Sequence, residues 1–130
     1  HTTSFVTNIN SDYTLDFNGK VINCNLADIV PKSHMKDGNL VDENGETVDV
    51  SKIKVIVSLQ PYDIKMSDET DASLVSGKII DLIYKGDHYS YVIRDEYGHD
   101  LIVDDEYLWN MDDQVGLIMP EDKMKFQIKK

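Results

Sequence analysis

Apolar residues in this chain recur at every second position, in short runs broken by turn-forming pairs, and this periodicity predicts strands rather than helices. The densest stretch runs from Gly77 to Val103. Between Ile79 and Tyr84 two alternating sets interleave, Ile79, Asp81, Ile83 and Ile80, Leu82, Tyr84, so a strand here carries apolar side chains on both faces and is expected to be largely buried. Lys85-Gly86-Asp87 ends the run, and Gly86 can take the positive φ that a tight hairpin needs. Tyr89, Tyr91 and Ile93 alternate as a second strand, Glu96-Tyr97-Gly98 turns the chain again, and Leu101 with Val103 completes a three-stranded meander.

The rest of the chain repeats this grammar. Phe5, Thr7, Ile9 and then Tyr13, Leu15, Phe17 alternate around Asn10-Ser11-Asp12, and Asn18-Gly19 marks a second hairpin that returns through Lys20 to Asn25. Asn44-Gly45 sits between Leu40, Val41 and Val48, Val50 as a small exposed hairpin. Ile53, Val55, Val57 and Leu59 form a strand that Pro61 stops, because proline has no N–H for a ladder. Residues 67–76 are polar and acidic without a period, which predicts a solvated linker between an amino-terminal β lobe, 1–66, and a carboxyl-terminal β lobe, 77–130. In the second lobe Asp104 can cap a short helical turn carrying Tyr107, Leu108 and Met111, with Trp109 needing a partner for its N–H. Val115, Leu117, Met119 and finally Phe126, Ile128 resume strand spacing. Neither lobe is large enough to hide its strands alone, so the expectation is an all-β antiparallel barrel, closed to remove its edges, with at most one short helix.

Length and charge narrow the function. At 130 residues with 41% hydrophobic positions, the chain can bury one core or two very small ones. Its formal charge of -11 repels nucleic-acid backbones and anionic lipid, and attracts cations or a basic partner. A single cysteine, Cys24, makes no intramolecular disulfide, which points to a reducing cytosol, and the apolar runs fall far short of the roughly 20 residues of a membrane helix. His1 in place of a start Met suggests a fragment or a tag remnant.

Catalytic signals are sparse. No G-x-x-x-x-G-K-[ST] loop is present to cradle nucleotide phosphates, and no G-x-S-x-G turn presents a serine nucleophile. His34, His88 and His99 lack metal spacing; His88 beside Asp87 would need His99 near it to hold a divalent ion, and a surface histidine in a hairpin is the plainer reading. Cys24 reads as a buried inert thiol. Tyr84, Tyr89, Tyr91, Tyr97 and Tyr107 offer faces to alkylammonium groups, although strand packing alone explains tyrosine in strands.

The run G-K-I-I-D-L-I-Y-K-G-D-H-Y-S-Y-V-I with G-H-D-L-I-V behind it resembles the transport-associated OB-fold (TOBE) domain at the carboxyl end of ATP-binding subunits of ABC importers, particularly the spermidine/putrescine type. V-I-V-S-L-Q-P-Y-D-I-K-M looks like that family's strand-turn segment, usually written R-P-E-D, with Gln60 for the arginine and Tyr62 for the glutamate while Pro61 and Asp63 are kept. The resemblance covers most of the chain, more strongly from Ile53 to Ile128. It implies an OB-like barrel in which the hairpin near 39–50 is an insertion. It further implies a non-catalytic regulatory and dimerisation domain without a cofactor of its own. ATP and Mg would be bound by a motor domain on other sequence. Implied partners are that motor domain, a second copy of the subunit and the permease subunits, at the inner face of the cell membrane. The competing reading is a free-standing OB-fold module for a small cation or an oligosaccharide.

Between Asp95 and Asp113 the acidic residues Asp95, Glu96, Asp100, Asp104, Asp105, Glu106, Asp112 and Asp113 face no Lys or Arg in sequence, so they repel one another unless a cation or basic partner screens them. With a polyamine importer implied by the resemblance, spermidine becomes a candidate ligand, its ammonium groups bridging Asp95, Glu96, Asp104, Asp105 and Glu106 while Tyr97 or Tyr107 supplies an aromatic face. A solvated acidic surface without a ligand is the plainer alternative.

Overall fold

The computed structural model describes residues 2–71 and 73–130. His1 and Ala72 lie outside that description, and so do the reading of His1 as a fragment or tag end and the middle of the 67–76 segment. The described elements are strands and single 3-10 turns: β1 (Thr3–Ile9), β2 (Leu15–Phe17), β3 (Lys20–Ile22), β4 (His34–Lys36), β5 (Asn39–Val41), β6 (Lys54–Leu59), β7 (Lys65–Ser67), β8 (Val75–Tyr84), β9 (Tyr89–Asp95), β10 (Asp100–Asp105), β11 (Gln114–Ile118) and β12 (Lys125–Ile128). The fold is all-β with antiparallel pairing, consistent with an OB-like β fold, and its sheets are open. One runs β12-β6-β1-β2-β3, another β10-β9-β8-β11-β7, and β4 with β5 forms a separate ribbon. The expected barrel closure is therefore not seen among the described residues. One edge is blunted differently: the Thr3 hydroxyl accepts from Ile102 N at 3.1 Å and donates to Ile102 O, satisfying both backbone groups on the outer side of β10.

The chain forms two compact units, one of Phe5–Val57 with Lys125–Lys130, the other of His1–Ser4 with Ser58–Met124. In the first, Ile9 pairs with Leu15, and the Asn18-Gly19 turn has positive φ at both residues, the requirement of a two-residue hairpin whose twist matches its strands. Phe5 and Phe17 stack with ring centroids 4.3 Å apart, over a core that includes Leu15, Ile22 and Leu26. The hairpin around Asn44-Gly45 forms as expected, with Val48 N donating to Leu40 O at 2.9 Å, but it is not wholly exposed. Leu40 and Val41 are buried, because its base belongs to this core.

In the second unit the meander β8-β9-β10 has the expected order, in a register that sets Ile79 opposite Ile93 and Leu101 also opposite Ile93. The expectation that Ile79 to Tyr84 is buried on both faces is not met: β8 buries one face of its first half, at Val75, Gly77 and Ile79, while Lys78 on the other face is exposed. A bulge between Ile79 and Asp81 shifts the register, and past it β8 no longer has β11 alongside, leaving Ile83 and Tyr84 exposed. Val75 and Ser76, expected in the linker, already belong to β8, and Ser73 is buried with its hydroxyl donating to Glu69 O at 2.6 Å. The helical turn expected after Asp104 does not form. Asp105 Oδ1 instead accepts from Tyr107 N at 3.0 Å, and an aspartate that binds the backbone two residues on favours a turn over a helix.

Candidate functional site

The most chemically furnished concavity lies wholly within the second unit, where the 3-10 turn Pro61–Asp63 meets the outer face of β9 and β10. Pro61 supplies the fixed φ that starts this turn, and Tyr62 leaves it half-exposed with its ring centroid 5.0 Å from the His88 imidazole. His88 closes the β8–β9 turn, its carbonyl accepting from Lys85 N at 2.8 Å, with Gly86 at φ +101 as the first central residue. Its Nδ1 lies 2.6 Å from Asp87 Oδ1 and its Nε2 lies 3.8 Å from Asp104 Oδ2, so a protonated imidazole faces a carboxylate at each nitrogen. Ile83, Val92 and Ile102 form the floor, Gln60, Lys85 and Ser90 join the rim, and the cleft measures about 410 Å³.

Electrostatics in the cleft follow from this geometry. Partial burial, then the carboxylates of Asp87, Asp104 and Glu106, push the Tyr62 phenol above its ordinary range. The hydrogen bond with His88 holds the Asp87 carboxyl below the usual carboxylate range. An aromatic face, an apolar floor and the Asp104 carboxylate, with Asp87 and Glu106 close enough to act on Tyr62, are the furnishings of a site for an organic cation with an apolar body. They offer no activated nucleophile. Among the described residues no group of three or more His, Cys, Asp or Glu is arranged to hold a metal ion. His88 and His99 stand at opposite ends of β9 and do not converge.

The acidic residues singled out from the sequence separate into two places. Asp100 pairs with Arg94 and Asp105 with Tyr89, so Asp95, Glu96 and Tyr97 at one end of the β9–β10 hairpin stand roughly 17 Å of strand from the group at Asp104 to Tyr107. Asp95 is buried and internally engaged: its Oδ1 accepts from Tyr97 N at 3.0 Å and His99 N at 2.7 Å, and its Oδ2 lies 2.8 Å from His99 Nδ1. Glu96 and Tyr97 lie exposed in the turn above it. Asp105 accepts from Tyr107 N and, at 3.3 Å, from the Trp109 indole, which is the partner that indole required. Asp104 enters the cleft, Glu106 is exposed near enough to act on Tyr62, and Tyr107 points to solvent. Tyr62, His88 and Asp87 were outside the predicted set. The available signals were the departure at Tyr62 and the Asp87-His88 pair, but nothing in one-dimensional spacing places residue 62 beside residue 88. Cys24 is half-buried, and burial chiefly, with Asp28 beside it, pushes its thiol up to about 11, as befits an inert sulfur.

Fold and cleft together define an acidic, antiparallel all-β module. Over 75 residues it is 27% identical to the spermidine/putrescine import ATP-binding protein PotA of Bacteroides fragilis, a match covering 58% of this chain and 16% of that protein. It is likewise 27% identical over 60 residues to PotA of Bacteroides thetaiotaomicron, covering 46% of this chain and 13% of the relative. The chain thus spans less than a fifth of the length of these curated relatives. No protein-family model matches it. Among the described residues no helix is long and apolar enough to cross a membrane.

Proposed function

We propose that this chain is the regulatory and dimerisation part of the ATP-binding subunit of an ABC importer for spermidine and putrescine. The observation that carries the reading is the 75-residue similarity to a spermidine/putrescine import ATP-binding protein, and the OB-like all-β fold agrees with it. In this reading the chain, whose units divide at Ser58 and Lys125 and not at the 67–76 segment expected from the sequence, acts as one TOBE-type domain without catalysis. ATP and Mg are held by a motor domain on other sequence, and the partners are that domain, a second copy and the permease subunits at the cytoplasmic face. The polyamine site centres on Asp104 with Tyr62 and His88, which line one cleft, while Asp87 and Glu106 act on Tyr62 from beside it. Asp105 and Tyr107 flank it, and Asp95, Glu96 and Tyr97 form an outlying anionic turn.

The full reading frame tests the parentage: phosphate-loop motifs upstream are expected, and a frame without them refutes it. Thermal melting of the 130-residue chain with spermidine against ionic-strength-matched NaCl tests the site. Spermidine is expected to raise the midpoint more than NaCl, and the Asp104→Asn, Asp105→Asn double variant is expected to lose that excess. Equal shifts from both salts would reduce the effect to screening.

A further inference from the structure

We propose that the loop of residues 106–113 is a docking surface for a lysine- or arginine-rich amphipathic segment of a partner protein. The inference stands on this loop's own structure and does not depend on the importer reading. The loop is held in one conformation from beneath. The buried Tyr91 hydroxyl donates to Tyr107 O and accepts from Trp109 N, each at 2.7 Å, while the Trp109 indole N–H donates to Asp105. At its far end Asp112 N donates to Ile79 O at 2.9 Å, and Asn110 N donates to Asp113 Oδ2 at 3.2 Å. Yet Tyr107, Leu108 and Met111 project outward, with 74%, 62% and 45% of their surface exposed. Because the backbone beneath them is already held, covering these three side chains costs their rotamer freedom but no further ordering of the loop, and tyrosine and methionine are enriched at protein interfaces.

Charge selects the occupant. Glu106 and Asp112 are exposed within the patch, Asp105 and Asp113 are half-buried beside it, and no Lys or Arg occurs between Asp95 and Asp113. A second copy paired about a two-fold axis through this patch would set the same acidic rim against itself, and anionic lipid or nucleic acid would meet the same repulsion at a net charge of -11. A cationic segment with an apolar stripe satisfies both features at once: its side-chain methylenes and apolar residues cover Tyr107, Leu108 and Met111 while its charges answer the rim.

The test measures fluorescence anisotropy of a labelled amphipathic Lys/Leu peptide against the whole 130-residue chain, with a Lys/Ser peptide of equal charge as the comparison. Variants are Tyr107→Ser with Leu108→Ser, and Val21→Ser as an exposed apolar control in the other unit. The Trp109 indole N–H resonance checks that the loop stays closed. The expected result is Lys/Leu binding that weakens about tenfold or more in the double variant, stays unchanged in Val21→Ser, and greatly exceeds Lys/Ser binding, since burying two large apolar side chains exceeds the roughly 1.4 kcal/mol of a tenfold change. Absence of Lys/Leu binding, equal binding of the two peptides, or undiminished binding by the double variant would each overturn the proposal.

Discussion

Tyr91 does more with one oxygen than most residues in this chain. Its side chain is fully buried, and its hydroxyl is the shared partner of a carbonyl at Tyr107 and an amide at Trp109, neither of which has a strand to pair with. Burial chiefly pushes the phenol above its ordinary range, so the neutral, donating form persists across physiological pH. Tyr91→Phe preserves the ring and orphans both backbone groups. It is expected to cost about 1–3 kcal/mol in urea unfolding and to speed amide exchange at Trp109 far more than in the core of β9. A smaller loss, with Trp109 still protected, would mean that water replaces the hydroxyl. Tyr13 shows a related compromise. It sits at φ 69, where an aromatic residue is strained, yet its hydroxyl accepts from Leu40 N at 3.1 Å and ties the 40s hairpin to the core.

At the scale of elements, one glycine decides how closely β11 packs against the chain at Glu69 and Ser73. Gly116 lies in β11 between β8 and β7, and a Cβ there would collide with the Ser73 hydroxyl and the Glu69 carbonyl. Ser73 cannot swing away cheaply, because its hydroxyl is committed to that same carbonyl. Gly116→Ala is therefore expected to destabilise by about 1–3 kcal/mol, whereas Gly45→Ala, which meets open space, costs only its strained φ. Denaturant midpoints of the two variants check the ranking, and a neutral Gly116→Ala would show that the 67–76 segment yields. The β8 bulge is the other decisive feature. By ending the partnership with β11 it frees the outer half of β8, and that half carries the Ile83 side chain into the floor of the cleft.

For the molecule as a whole, charge sets the pH response. The carboxyls of Asp12, Asp49, Asp87 and Asp100 are all held below their ordinary value of 3.8, by hydrogen bonds first from Thr14, Ser51, His88 and Arg94 respectively. A depressed folded-state value means stability that is complete above the unfolded value and is lost as pH falls through the folded one. The melting midpoint is therefore expected to fall below about pH 4, where the ordinary carboxylate range begins. All four groups are exposed, so the loss accumulates from small increments. Melts from pH 2 to 7 check this, and a midpoint that is flat or rises on acidification would show that relief of self-repulsion outweighs these bonds.

Strand identity was legible because period-2 alternation reflects the pleat itself. A residue such as Ile93 or Leu101 announces its face wherever its neighbours lie. Turns at Asn18-Gly19 and Gly86 were legible because few residues adopt positive φ. Local signals failed where a distant partner settled the outcome. The 104–111 stretch has helical spacing, but Asp105 and the Tyr91 hydroxyl, contributed from another strand, hold it as a loop. The acidic run reads as one belt in sequence, yet antiparallel pairing sends Asp95 and Asp104 to opposite ends of a hairpin and buries the first while opening the second to a cleft. The sequence alone therefore determined the all-β class, the meander and the excess of negative charge, which depend on neighbours along the chain. Tertiary structure alone decided that the sheets stay open and that Tyr62, His88 and Asp104 meet, because those outcomes depend on register and on contacts between residues far apart in sequence.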